Sequence, residues 1–166
     1  MRFLVLLIMM VLPLAAFAAD SPADEAFYKA AAEGGISEVD LGKLAQEKSP
    51  DKQVMEFGEM MVKDHSAANE KLQALATSKN ISLPSSASVG QMATKAKLKV
   101  LSGSSFDESY IRSQVKAHTE TEALLKKEIA SGQDPDAKAF AQSILPTVRS
   151  HLKAIRSIAA EKDVKT

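Results

Sequence analysis

The chain has 166 residues, with 21 Lys and Arg balanced by 21 Asp and Glu, and it contains no Cys. That length predicts one domain, and the charge balance argues against a general nucleic-acid binder, which replaces counterions with surplus basic residues. Without Cys there is no disulfide, no thiolate metal site, no iron–sulfur cluster and no Cys nucleophile. Aromatic residues are 5% of the chain and Trp is absent, so stacking platforms are scarce and helices are favoured over sheets.

The chain opens on MRFLVLLIMMVLPLAAFAA. Arg2 gives a basic start, Phe3 to Val11 is a short apolar run broken by Pro13, and Ala16-Phe17-Ala18 fits the small-x-small cleavage rule. Residues 1–19 are therefore expected to be a signal peptide and residues 20–166 a single domain that is periplasmic or secreted. The apolar run is shorter than the roughly 20 residues a spanning helix needs. No later run is longer, so no membrane insertion is expected after cleavage.

Four long helices follow. Ser21-Pro22, Ser49-Pro50 and Asp134-Pro135 each put a capping side chain before a Pro at the first helical position, and Ser105 with Glu108 fits a capping box. With the apolar periodicity, these marks predict helices near 22–47, 50–79, 105–131 and 135–161. Asn80 and Gly132 stand where the second and third should stop. The first and last pairs are joined by short turns and should form antiparallel hairpins. Between them lie about 25 residues, enough to run the length of a bundle. Within that stretch, Ser82 to Ser88 reads as a polar loop and Val89 to Leu101 as a short fifth helix. Two hairpins joined by a long crossover is the connectivity of a ferritin-like four-helix bundle, an all-α fold. Gly34-Gly35 interrupts the first helix at a cost of about 1–2 kcal/mol in helix propensity, which predicts a kink, a break or a close approach by another helix.

The apolar seams carry the functional signal. The second helix reads Val54, Gly58, Met61, His65, Ala68, Leu72, Leu75. The third reads Ile111, Val115, His118, Glu122, Leu125, Ile129. The fourth reads Ala137, Ala141, Ile144, Val148, His151, Ile155, Ile158, and the first reads Phe27, Ala31, Gly34, Glu38, Leu41, Ala45. The chain has three His, and every one falls on the seam of a different helix. A seam takes about two positions in seven, so chance gives this roughly once in forty. Each His also ends a V-[KR]-x-H tetrapeptide: Val62 to His65, Val115 to His118 and Val148 to His151. At about 1.5 Å of rise per residue, Glu38, His65, His118 and His151 all fall near mid-bundle.

Imidazoles and a carboxylate in an apolar layer are costly unless paired. Three imidazoles and one carboxylate supply four donors, enough for one divalent transition-metal ion such as Zn, Fe, Mn or Cu. The expected ligands are Glu38, His65, His118 and His151. Glu122, one turn beyond His118, is expected as a fifth ligand or an outer partner. Positions three before each His are Val62, Val115 and Val148, so the E-x-x-H pairs of a di-iron centre are absent. Asp64 reads as a surface residue. Two metal-free arrangements stay open: Glu38 paired with protonated His as a structural or pH-responsive core, or seams drawn slightly wrong with some His facing solvent. No Gly-rich phosphate loop, G-x-S-x-G or H-E-x-x-H is present. The reading is thus a metal-binding protein for storage, stability or stress protection, ahead of a metal-free interaction module, with a metalloenzyme last.

Ser37-Glu38-Val39-Asp40-Leu41-Gly42, Met61-Val62-Lys63-Asp64-His65, Ser102-Gly103 leading into Phe106-Asp107 and Tyr110, then His118, Leu145-Pro146 and His151-Leu152 also form an ordered set of blocks. In these blocks the chain resembles the exported bacterial ferritin-like family known as domain of unknown function 4142, often labelled an outer membrane protein. The resemblance spans about residues 24–160. It implies a four-helix bundle in a periplasmic or secreted setting and no assigned activity. Asp107 suits the first turn of the third helix through the helix dipole, and Tyr110 is expected to hydrogen-bond towards the crossover.

Overall fold

The computed structural model describes residues 21–166; the expected signal peptide lies outside them. Five helices follow in order: α1 Pro22–Lys48, α2 Lys52–Ser78, α3 Val89–Lys99, α4 Gly103–Ser131 and α5 Pro135–Glu161. No strand occurs among the described residues, and none of their helices is long and apolar enough to cross a membrane.

The caps set the ends. Ser21 accepts from the Asp24 backbone N–H, and Asp134 starts α5 by accepting from the Asp136 N–H. The second helix begins later than its sequence suggests. Asp51, not Ser49, is the N-cap, accepting from the N–H groups of Gln53 and Val54. Ser49 instead closes α1 through its backbone N–H and donates its hydroxyl to Asp107 at 2.5 Å. The capping box also lies elsewhere. It is Ser88 with Gln91 at the start of α3, whereas α4 opens at Gly103 behind Ser102, whose side chain makes no capping bond. Asn80, with φ of 57°, closes the α2 terminus in the left-handed conformation an Asn tolerates.

α1 with α2, and α4 with α5, form the two antiparallel hairpins, and α3 lies in the crossover between them. Contacts at the two ends fix the directions. Ser49 at the start of α2 meets Asp107 at the start of α4, so these two helices run parallel. At the other end Asp24 accepts from the backbone N–H groups of Gln133 and Asp134, while Lys79 pairs with Asp134 at 2.9 Å. Lys162 at the end of α5 pairs with Asp51. α3 is strapped along α1 by the ion pair of Lys95 with Asp40 at 2.5 Å.

α1 is continuous through Gly34 and Gly35. The expected close approach is at Gly35, where a Cβ would fall 1.8 Å from the Asn69 side chain of α2. The core divides into two apolar clusters. One surrounds Phe57, Met61, Phe106, Ile111 and Ile155, and the other surrounds Phe27, Tyr28, Leu72, Leu125 and Phe140. Polar residues hold the layer between them.

Candidate metal centre

That layer brings the three imidazoles together. His65 on α2, His118 on α4 and His151 on α5 are 8%, 1% and 1% exposed, which settles that the seams place all of them inward. Their ring centroids are 5.5 to 5.7 Å apart. One donor atom from each lies within 4.8 Å of the others. Phe57 caps the group on the side of the first apolar cluster, its ring 6.1 Å from His118 and 6.4 Å from His151.

Hydrogen bonding fixes two of the tautomers. His118 Nδ1 lies 3.0 Å from the Gln114 carbonyl oxygen, which only accepts, so Nδ1 carries the proton. His151 Nε2 lies 2.9 Å from Asp64 Oδ2 and donates to it in the same way. The opposite nitrogens, His118 Nε2 and His151 Nδ1, are buried with no hydrogen-bond partner, as is His65 Nε2. Each ring therefore offers one unpartnered buried nitrogen. On two rings that nitrogen bears a lone pair, while the other nitrogen is anchored to an oxygen, the arrangement that orients metal-bound imidazoles.

Burial works against charge here. It pushes His65 down to about 3, with the neighbouring His118 and His151 adding to the fall. It also lowers His151, against the opposing pull of Asp64. Glu38, 4% exposed on α1, is raised by burial against the lowering influence of His118 and the Gln114 side chain. Burial thus holds His65 and His151 towards the neutral imidazole and Glu38 towards the protonated carboxyl.

Glu38 stands beside the three imidazoles and is not among the donors within that 4.8 Å. Its Oε2 is buried without a partner, as are Tyr110 Oη and both polar atoms of Gln114. Tyr110, Gln114 and His118 are spaced by four along α4 and share a face; that spacing was the signal for Gln114, which a seam drawn through Val115 passes over. Tyr110 makes no hydrogen bond to the crossover, because its hydroxyl is enclosed in the core. Glu122 is not with the imidazoles. Its Oε1 accepts from Lys126 at 2.6 Å and from Arg149 at 3.0 Å, and these cations hold its carboxyl below the usual range. A step of four residues turns it about 40° from His118, to the α4–α5 flank where Arg149 of α5 meets it. Asp64, read from sequence as a surface residue, is the anchor of His151; the second imidazole comes from 87 residues downstream, so nothing local announces the pairing.

Among the described residues, three cavities reach the centre, the smallest of them a pocket of about 50 Å³ among the apolar residues around Leu72 and Phe140, with Glu38 and His65 in its wall. Of the two larger, one, of about 210 Å³ between α2 and α5, is lined by Asp64, His65, Lys71, Ser143, Thr147 and His151. The other, about 460 Å³ beneath α3, reaches Glu38 but none of the imidazoles.

The model of the domain of unknown function DUF4142 matches residues 10–158. The chain belongs to the DUF4142 family. No curated protein matches it. Among solved structures, this DUF4142 chain resembles a DUF305 fragment from Deinococcus radiodurans, with 14% identity, 86% of this chain and 98% of that one covered, and a TM-score of 0.76. A DUF305 protein from Streptomyces coelicolor gives 17% identity, 89% and 96% coverage and a TM-score of 0.75. CopM in its Cu(I)-bound form gives 13% identity, 83% and 96% coverage and a TM-score of 0.69. At these identities the likeness is one of fold.

Proposed function

We propose that this DUF4142 protein is an exported helical bundle that binds one transition-metal ion through His65, His118 and His151, with Glu38 alongside as a charge partner. The observation that carries the reading is the set of three buried, unpartnered imidazole nitrogens, one on each of three helices. Two of those rings are locked by oxygen acceptors in the tautomer that binding requires. An unpartnered buried polar atom costs about 1–3 kcal/mol, and a metal bond to all three removes that cost together. Imidazole donors suit Zn, Cu, Fe and Ni. CopM, of similar fold, is described in Cu(I)-, Cu(II)- and Ag-bound forms, which favours copper as the first ion to test. Export rests on the leader-like residues 1–19. Storage or protection against metal stress is the use that a nitrogen-rich core fits best.

Elemental analysis of protein purified without chelator tests the proposal. About one equivalent of metal is expected, together with thermal stabilisation on loading. Sub-stoichiometric metal, with no shift in Tm from added Cu, Zn, Mn or Fe, overturns it. Unfolding that ignores chelators and responds only to pH would assign the cluster a structural role instead.

A further inference from the structure

We infer that the centre keeps one coordination position open towards the cleft between α2 and α5, and that this position takes a small exogenous monoanion. The inference rests on the metal reading above and adds a second ligand to it.

Three imidazoles leave a four-coordinate ion one donor short, and Glu38 does not lie within the group of donor atoms that the imidazoles form. The two faces of the centre differ. Phe57 blocks one end, and the groove beneath α3 reaches Glu38 alone. The cleft between α2 and α5 has His65 and His151 themselves in its wall, and its volume of about 210 Å³ admits a molecule of a few atoms but not a metabolite of ordinary size.

Charge sets the class of ligand. Lys71, on the same helix as His65, lines this cleft. Asp64 also lines it, and its Oδ2 is occupied by the proton of His151 Nε2. A divalent ion held by three neutral imidazoles, with Asp64 as the one carboxylate of the cleft wall, leaves a net positive mouth. Hydroxide, azide or another compact monoanion is matched to that charge and that volume. Ser143 and Thr147, from α5, complete the rim with hydroxyl groups.

Cobalt(II) provides the test, because its visible spectrum reports each change of ligand. The full mature chain is loaded to one equivalent and titrated with sodium azide. A saturable spectral change is expected. Ser143→Trp, at the exposed rim of the cleft, should weaken azide binding at least tenfold while cobalt remains bound. Lys116→Trp, on the exposed wall of the other groove, should leave it unchanged. Lys71→Gln should weaken azide about threefold through loss of the local field. A one-equivalent cobalt spectrum that ignores azide overturns the open position and leaves the metal centre standing. Loss of the azide response in Lys116→Trp but not in Ser143→Trp overturns the assignment of the cleft. Failure to bind cobalt or any other ion overturns the metal reading, and the open position with it.

Discussion

His151 Nε2 donates to Asp64 Oδ2 across 2.9 Å, and the two partners differ sharply in setting: the imidazole is 2% exposed and the carboxylate 32%. A half-exposed carboxylate thus orients a buried ring and keeps the proton off its inward nitrogen. Asp64→Ala should lower metal affinity about 10–100-fold, the usual cost of losing such an anchor, and should cost the metal-free protein about 1–3 kcal/mol by leaving His151 Nε2–H without its acceptor. Asp64→Asn, whose carbonyl oxygen still accepts from Nε2–H, should lose less. Competition with a chromophoric chelator measures both. Equal affinities in wild type and Asp64→Ala would remove Asp64 from the site.

Metal loading should raise thermal stability. At a free concentration of about 100 times Kd, binding to the folded state alone contributes about 2.7 kcal/mol, which for a domain of this size is a rise in Tm of about 5–10 °C. His118→Ala removes a ligand and should abolish the rise. The measurement is differential scanning calorimetry with and without metal, and retention of the full shift in His118→Ala would exclude that ring.

The first hairpin depends on two glycines that meet backbone to backbone. A Cβ on Gly42 would lie 2.6 Å from the Gly58 carbonyl oxygen, and a Cβ on Gly58 would lie 2.7 Å from that of Gly42. Backbone cannot swing aside as a side-chain tip can, so α1 and α2 would have to separate. Gly42→Ala should destabilise by about 1–3 kcal/mol. Gly90→Ala is the contrast, because nothing lies within 4 Å of the added methyl. It should stabilise by about 0.5–1 kcal/mol through helix propensity alone. Urea midpoints decide both signs.

How far the sequence carries is clear from these particular residues. His65, His118, His151 and Glu38 are legible because a polar residue on an apolar seam breaks a pattern with period 3.6. The hairpin–crossover–hairpin order is legible because Pro, Asn and Gly mark helix ends. Asp64 is not legible, and Gln114 shows only in the four-residue spacing that ties it to Tyr110 and His118. Whether Asp64 faces water or an imidazole depends on where α5 passes. Glu122 fails for a related reason: it lies at the margin of its seam, and Arg149 on the neighbouring helix supplies a better partner than the core. Ser49 and Asp51 show the same competition at a helix end, where the tertiary bond to Asp107 draws away the residue that sequence alone makes the cap.

Stability should fall as pH rises through neutrality. Glu128, 6% exposed near the end of α4, is pushed up to about 7, first by burial and then by Asp24 and Asp134, with Lys138 opposing. Asp24 comes from α1, Asp134 and Lys138 from the start of α5, and Lys79 beyond α2 pairs with Asp134. An acid whose folded value exceeds its unfolded value of about 4.3 favours the folded state fully below that lower value. The advantage is lost as pH climbs through 7, and its size is about 1–3 kcal/mol. Glu128→Gln cannot ionise, so its urea midpoint should vary less between pH 5 and 8 than that of the wild type. Identical pH profiles would place the sensitivity elsewhere.

The polar layer itself should be a stability cost that the metal-free chain does not need. Gln114 is 0% exposed, and neither its amide nitrogen nor its side-chain oxygen has a hydrogen-bond partner. Replacing such a group by an apolar side chain of similar shape is neutral or stabilising, because it removes a desolvation cost that only the interaction with Glu38 offsets. Gln114→Met should therefore raise the stability of the metal-free protein by about 1 kcal/mol. His118 keeps its anchor in that variant, since the acceptor is the backbone carbonyl of residue 114 and survives the substitution. Glu38 loses its polar neighbour on α4 and should be driven further towards its neutral form. If Glu38 serves the ion as charge partner, metal affinity then falls while stability rises. Opposite signs in those two measurements would mark the layer as one retained for binding. A Gln114→Met variant less stable than wild type would show that the amide has a structural task in the fold.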